Sequence, residues 1–89
     1  MLAMTTAWLM ACANPIPVQE MSNARQTLQA AKDARAQVFA PGRYSEAQVL
    51  LEKAAKQLND GDYYRAKEFA VEAKLVASQA HRAALIHQK

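Results

Sequence analysis

Alanine recurs at Ala66, Ala70, Ala73, Ala77, Ala80 and Ala84, in alternating steps of four and three residues. These steps follow the 3.6-residue turn of an α-helix, so all of these methyl groups fall on one face, whereas a strand would scatter them over two. A face made of alanine lets a neighbouring helix approach near the lower end of the usual spacing of about 8–10 Å. Each alanine removes little area from water, at roughly 25 cal/mol per Å². The seam therefore predicts close helix packing around a thin core.

The residues around the seam set its limits. Asn59-Asp60-Gly61-Asp62 is a break, in which Gly61 suits a left-handed turn after a helix and Asp62 suits the cap of the next. The helix that follows is expected over residues 63–87, with Phe69, Val76 and Ala83 widening its buried face. No acid follows Glu72, while Lys74, Arg82 and Lys89 lie toward the negative end of the helix dipole. A preceding helix is expected over residues 46–58. Ser45 and Gln48 have the spacing of a capping box, Tyr44 and Val49 that of a hydrophobic staple, and Ala47, Leu50, Leu51, Ala54 and Leu58 form the apolar stripe. Glu52 and Lys56 are spaced for an i,i+4 pair. A first helix is expected over residues 20–39 from Met21, Ala24, Leu28, Ala31 and Val38, a stripe interrupted at Arg35 and ended by Ala40-Pro41-Gly42.

Short connections make neighbouring helices antiparallel. The fold class is therefore all-α: a three-helix up-down-up bundle with a long C-terminal helix. At 1.5 Å per residue the second helix spans about 20 Å and the third nearly 40 Å, so the third should overshoot its partner. The overshoot carries Ala80, Ala83, Ala84, Leu85 and Ile86, and is expected to contact a second protomer or another protein, the alternative being that the first helix covers it or the end frays. The chain has 89 residues, two glycines and 7% aromatic residues. That length allows one domain of marginal stability, and the composition argues against a β-sandwich or barrel. The net charge of +3 comes from interleaved acids and bases, which reads as a solvated surface.

The N-terminus reads as an address. Met1 to Ala11 carries no charged residue and meets the one cysteine, Cys12. It is too short to span a bilayer, which takes about 20 apolar residues, but fits the apolar core of a secretory signal. Leu9-Met10-Ala11-Cys12 resembles a bacterial lipobox. The Cys12 thiol is the nucleophile that takes a diacylglyceryl group as a thioether. The small Ala11 lets a peptidase reach the bond to be cut, and Leu9 fits that enzyme's pocket. Met10 departs from the usual box. No lysine or arginine precedes the apolar run, so the true start is expected upstream of Met1. The expected division is residues 1–11 as a lipoprotein-type signal peptide, 12–19 as a tether with Pro15 and Pro17 opposing helix, and 20–88 as the helical domain.

Gly61-Asp62-Tyr63-Tyr64-Arg65-Ala66, with Ala70 and Ala73 beyond it, resembles the second half of a tetratricopeptide repeat. One unit is visible where a solenoid takes about three, so it reads as a shared helical-hairpin solution. A wider resemblance rests on Cys12, the Ala24-Arg25-Gln26-Thr27-Leu28 start, Ala40-Pro41, the Leu58-to-Lys67 segment and the alanine seam. Residues 12–85 are similar to a bacterial family of short lipoproteins with an alanine-rich helical domain of unknown function. That resemblance implies an envelope protein. Similar domains occur beside OmpA-type peptidoglycan-binding domains, and Ala13 in place of an aspartate implies outer-membrane sorting.

No catalytic set emerges. His81 and His87 are six residues apart, about 240° around a helix, which does not suit a shared metal. Asp60 and Asp62 read as turn and cap. Phe39, Tyr44, Tyr63, Tyr64 and Phe69 gather near the breaks and read as packing of helix ends. Arg65, Lys67, Lys74 and Arg82 offer attraction to anionic lipid or cell-wall polymer, with nucleic acid not expected for an exported chain. The expectation is an envelope lipoprotein, facing the periplasm and held to the membrane by lipid on Cys12. It is expected to act as a structural or protein-interaction module with a protein partner or a second copy, without enzymatic activity, metal or cofactor. The alternative is a cytosolic helical adaptor with a misassigned start; an enzyme or ligand carrier using the aromatics ranks third.

Overall fold

The alanine seam is the spine of the molecule. In the computed structural model, which describes residues 15–88, the chain is all helical, and no strand occurs among the described residues. Its elements are α1 (Val18–Asp33), α2 (Ala36–Phe39), α3 (Pro41–Asn59) and α4 (Tyr63–His87). Helix α4 packs along both α1 and α3, which touch each other far less. Ala66, Ala70, Ala77, Ala80 and Ala84 are fully buried, and Ala73 nearly so. Beyond alanine and Pro17, the only buried residues among those described are Met21, Tyr44, Leu50 and Val76.

The core has two segments. In one, Met21 and Ala24 of α1 meet Ala47, Leu50 and Ala54 of α3 and Ala70 to Ala77 of α4. In the other, Ala31, Ala34 and Ala36 meet Tyr44 at the start of α3 and Ala80 and Ala84 near the end of α4. Leu28, Leu51, Leu58 and Phe69 are half-buried at the margins.

The turn between α3 and α4 follows its sequence closely. Asp62 N–H donates to the Gln57 carbonyl at 2.9 Å and Gly61 N–H to the Leu58 carbonyl at 3.1 Å, the paired bonds that close a helix through a left-handed residue. Gly61 supplies that residue at φ 86°. Asp62 then accepts from Arg65 N–H at 3.1 Å, satisfying one of the free donors at the start of α4.

The first half differs from the sequence expectation in three places. The helix expected over 20–39 is two helices, because Arg35 adopts φ 67° and ψ 36°. Its N–H donates to the Lys32 carbonyl at 2.9 Å, ending α1 with the bond that a glycine usually makes. The bend keeps Ala34 and Ala36 buried but turns Val38 outward, 61% exposed. Secondly, α3 begins at Pro41, not near residue 46. Proline suits the first helical position because its φ is pre-set and its missing N–H has no partner there anyway. Ser45 therefore lies inside the helix and exposed, no side chain caps α3, and Val49 is exposed while Tyr44 is buried. Thirdly, Lys56 pairs with Asp60 at 3.2 Å and makes no ion pair with Glu52.

The two glycines make opposite predictions. A methyl group at either meets nothing within 4 Å, so only backbone conformation decides. Gly61→Ala should cost about 1 kcal/mol, because a side chain is strained in the left-handed region. Gly42→Ala should stabilise by about 0.5 kcal/mol, because it restricts the unfolded chain at a helical position. Urea unfolding followed by circular dichroism reads both; destabilisation by Gly42→Ala would refute the conformational account.

Candidate interaction surfaces

Among the described residues no polar or charged side chain is buried, and no three His, Cys, Asp or Glu side chains are grouped to hold a metal ion. What the structure presents is surface. Leu9, Met10, Ala11 and Cys12 lie outside the described residues.

The expected overshoot of the last helix is largely covered. Ala80 and Ala84 point into the bundle, closed over by Ala31, Ala34, Ala36 and Tyr44. The end of α1, α2 and Tyr44 at the start of α3 pack together against this part of α4. Ala83 is half-buried, and Leu85 and Ile86 are exposed at 42% and 72%. The end of α4 is also fastened. Gln88 donates through its side-chain amide to the Ala34 carbonyl. His87 stacks on Phe39 with ring centroids 6.3 Å apart and planes 9° from parallel. The Arg35 guanidinium lies 5.8 Å from the centre of the same Phe39 ring, within range of a cation–π contact. Arg43 donates to Gln79 at 2.6 Å, tying α3 to α4.

The aromatics do not form one site. Tyr44 is buried, Phe39 belongs with the α4 end, and Phe69 lies at the α3 margin with Lys53 Nζ 5.8 Å from its ring centre. Tyr64 is 72% exposed. It opens a shallow depression on the outer side of α4 that continues past Lys67, Glu68, Val71, Glu72 and Leu75. Val71 and Leu75 are about half exposed. At 3.6 residues per turn, Tyr64, Val71 and Leu75 share the face opposite the alanine seam. Lys67 and Lys74 lie along one flank of this stripe, and Glu72 along the other. The seven- and four-residue steps of this face are present in the sequence, but Glu68, Ser78 and Arg82 interrupt them, so the unbroken alanine period on the same helix is the stronger signal. A second, smaller depression lies between α1 and α3, over Arg25, Leu28, Gln48, Leu51 and Glu52, where those two helices stand apart.

Comparison with known protein families, characterised proteins and solved structures finds no match for this chain.

The two kinds of α4 position respond differently to substitution. Ala80→Leu forces extra volume between close helices and should destabilise by about 1–3 kcal/mol. Ile86→Ser, at a site 72% exposed, should change stability by less than about 0.5 kcal/mol. Thermal unfolding distinguishes them, and a neutral Ala80→Leu would show that the seam is not closely packed.

Proposed function

We propose that this chain is a short bacterial lipoprotein of the alanine-rich helical kind. In this reading it is anchored in the cell envelope through lipid on Cys12 and acts as a non-enzymatic structural or protein-interaction module. The observation that carries this is the charge-free run Met1–Ala11 ending in Leu9-Met10-Ala11-Cys12, three residues ahead of Pro15. Cleavage before Cys12 leaves a new N-terminus carrying acyl chains. One such chain binds a membrane marginally, at about 0.8 kcal/mol per buried CH₂, and two or three hold essentially permanently. No helix among the described residues is long and apolar enough to cross a membrane. In this reading the lipid on Cys12 is the anchor. Ala13 in place of an aspartate supports the outer membrane, with the bundle facing the periplasm.

The architecture in this proposal is an up-down-up bundle. Its support is the order of core contacts: Met21 and Ala24 meet the first half of α4, Ala31 and Ala36 its second half, and Tyr44 at the start of α3 meets the end of α4. Helices α1 and α4 then run the same way and α3 runs against them. The end away from the anchor carries Arg35, Arg43 and Arg82, which suits contact with an anionic cell-wall polymer. A cytosolic helical adaptor is the second reading, favoured by Met10, which departs from the usual lipobox.

Metabolic labelling with a fatty-acid probe tests the proposal. Wild-type protein should be labelled and sediment with membranes, and Cys12→Ala should be unlabelled. Unlabelled wild-type protein in the soluble fraction refutes the lipoprotein reading in favour of the adaptor.

A further inference from the structure

Tyr64, Val71 and Leu75 stand on the outer face of α4, 72%, 52% and 55% exposed. Their seven- and four-residue spacing, continued by Ser78, Arg82 and Leu85, is the repeat by which one helix seats against another. We propose that this face pairs with the same face of a second copy of the chain, with the two α4 helices parallel about a two-fold axis.

Charge sets the orientation. In a parallel pair opposite flanks meet, and the contact runs from one residue to the residue five positions further along the other helix. Lys67 of one copy then comes opposite Glu72 of the other, and beside its Glu68, twice over by symmetry. In an antiparallel pair like flanks meet, which sets the Lys67–Lys74 flank against itself. In the parallel pair Glu68 and Arg82 each face their own copies, a like-charge cost that the two Lys67–Glu72 contacts oppose; the seam is therefore weak for molecules free in solution and serviceable for molecules confined to a surface, where effective concentration is high.

The tether gives the same orientation by a separate route, which rests on the lipoprotein reading and the up-down-up order. Cys12 and Val18, where α1 begins, are six residues apart, a reach of at most about 20 Å. The chain enters the bundle at the Tyr64 end of α4, since the start of α1 packs on the first half of that helix. Two copies anchored in one bilayer therefore stand the same way up. An antiparallel pair would lift one anchor by roughly 40 Å, the length of α4.

Val71→Cys and Leu85→Cys, made singly in the full chain and oxidised in intact cells, test the pairing. Cys12 is the only native cysteine, and disulfides are located by peptide mapping. In a parallel two-fold pair every seam position faces its own copy, so both variants should give disulfide dimers. Lys67→Glu in the Val71→Cys chain should lower the dimer yield about tenfold, and adding Glu72→Lys should restore it to within about twofold. Cross-linking at neither position overturns the proposal and leaves the face to a bilayer or another protein. Cross-linking at one position only overturns the parallel orientation, because an antiparallel axis passes through a single site. Failure of the double charge exchange to restore the dimer overturns the Lys67–Glu72 contact. Fatty-acid labelling of the same cells separates the two proposals: label without cross-links removes only the pairing, and cross-links at both sites without label remove only the anchor.

Discussion

The close approach of α1 and α3 to the alanine face of α4 is the contact on which the rest of this structure depends. Helices that meet through methyl groups have little side chain to adjust, so their fit is set by the backbones themselves. The arrangement carries a compensation: an ordered alanine loses essentially no rotamer freedom, whereas an ordered methionine or glutamine loses up to about 1.5–2 kcal/mol. Less apolar area is removed from water per residue, but less entropy opposes it. A core of this kind gains by extension along the helix, not by depth, which accounts for α4 being 25 residues long.

Length along α4 then dictates what the rest of the chain must do. Helix α3 has 19 residues and meets the end of α4 through Tyr44 at its own start. The rest of that end is covered by the end of α1 and by α2, whose Ala31, Ala34 and Ala36 sit against Ala80 and Ala84. The left-handed conformation of Arg35 joins the two helices there, a conformation that costs a non-glycine residue roughly 1–2 kcal/mol. Burial of Ala34 and Ala36 beside Tyr44 and the contact of Arg35 with Phe39 offset it. The stack of Phe39 on His87 and the bond from Gln88 to Ala34 close the same end. The break at Arg35 is thus a consequence of covering the seam.

How far the sequence revealed this depended on how local each signal was. The turn at Leu58 to Asp62 and both bounds of α4 were legible, because a glycine, a capping aspartate and an alanine period act within a few residues. The entry to α3 was misread because two local signals competed. Ser45 and Gln48 have capping-box spacing, but Pro41 lies upstream and starts the helix earlier, drawing Ser45 into its exposed side. Arg35 was visible as an interruption of the apolar stripe, yet arginine is no usual turn residue, and only the packing of Ala36 shows that the chain bends there. Whether Ala80 and Ala84 would be bare or covered by the first helix stayed open in the sequence. Whether a helix end is bare depends on which other segment reaches it, and no window of sequence holds that information.

Helix α4 has two faces with different chemistry. The inner face is unbroken alanine, with no charge to solvate, so it suits a contact made once on folding and kept. The outer face sets Tyr64, Val71 and Leu75 among Lys67, Glu68 and Glu72, groups that remain solvated when the face is open. Burying them has a desolvation cost that opposing charges only partly return. A contact there forms and releases with small free-energy changes, and local concentration decides whether it is made. On the lipoprotein proposal, six residues from Cys12 to Val18 would hold the bundle within about 20 Å of the bilayer, and the anchor would set the local concentration. The proposed tether would then also make a weak outer seam sufficient.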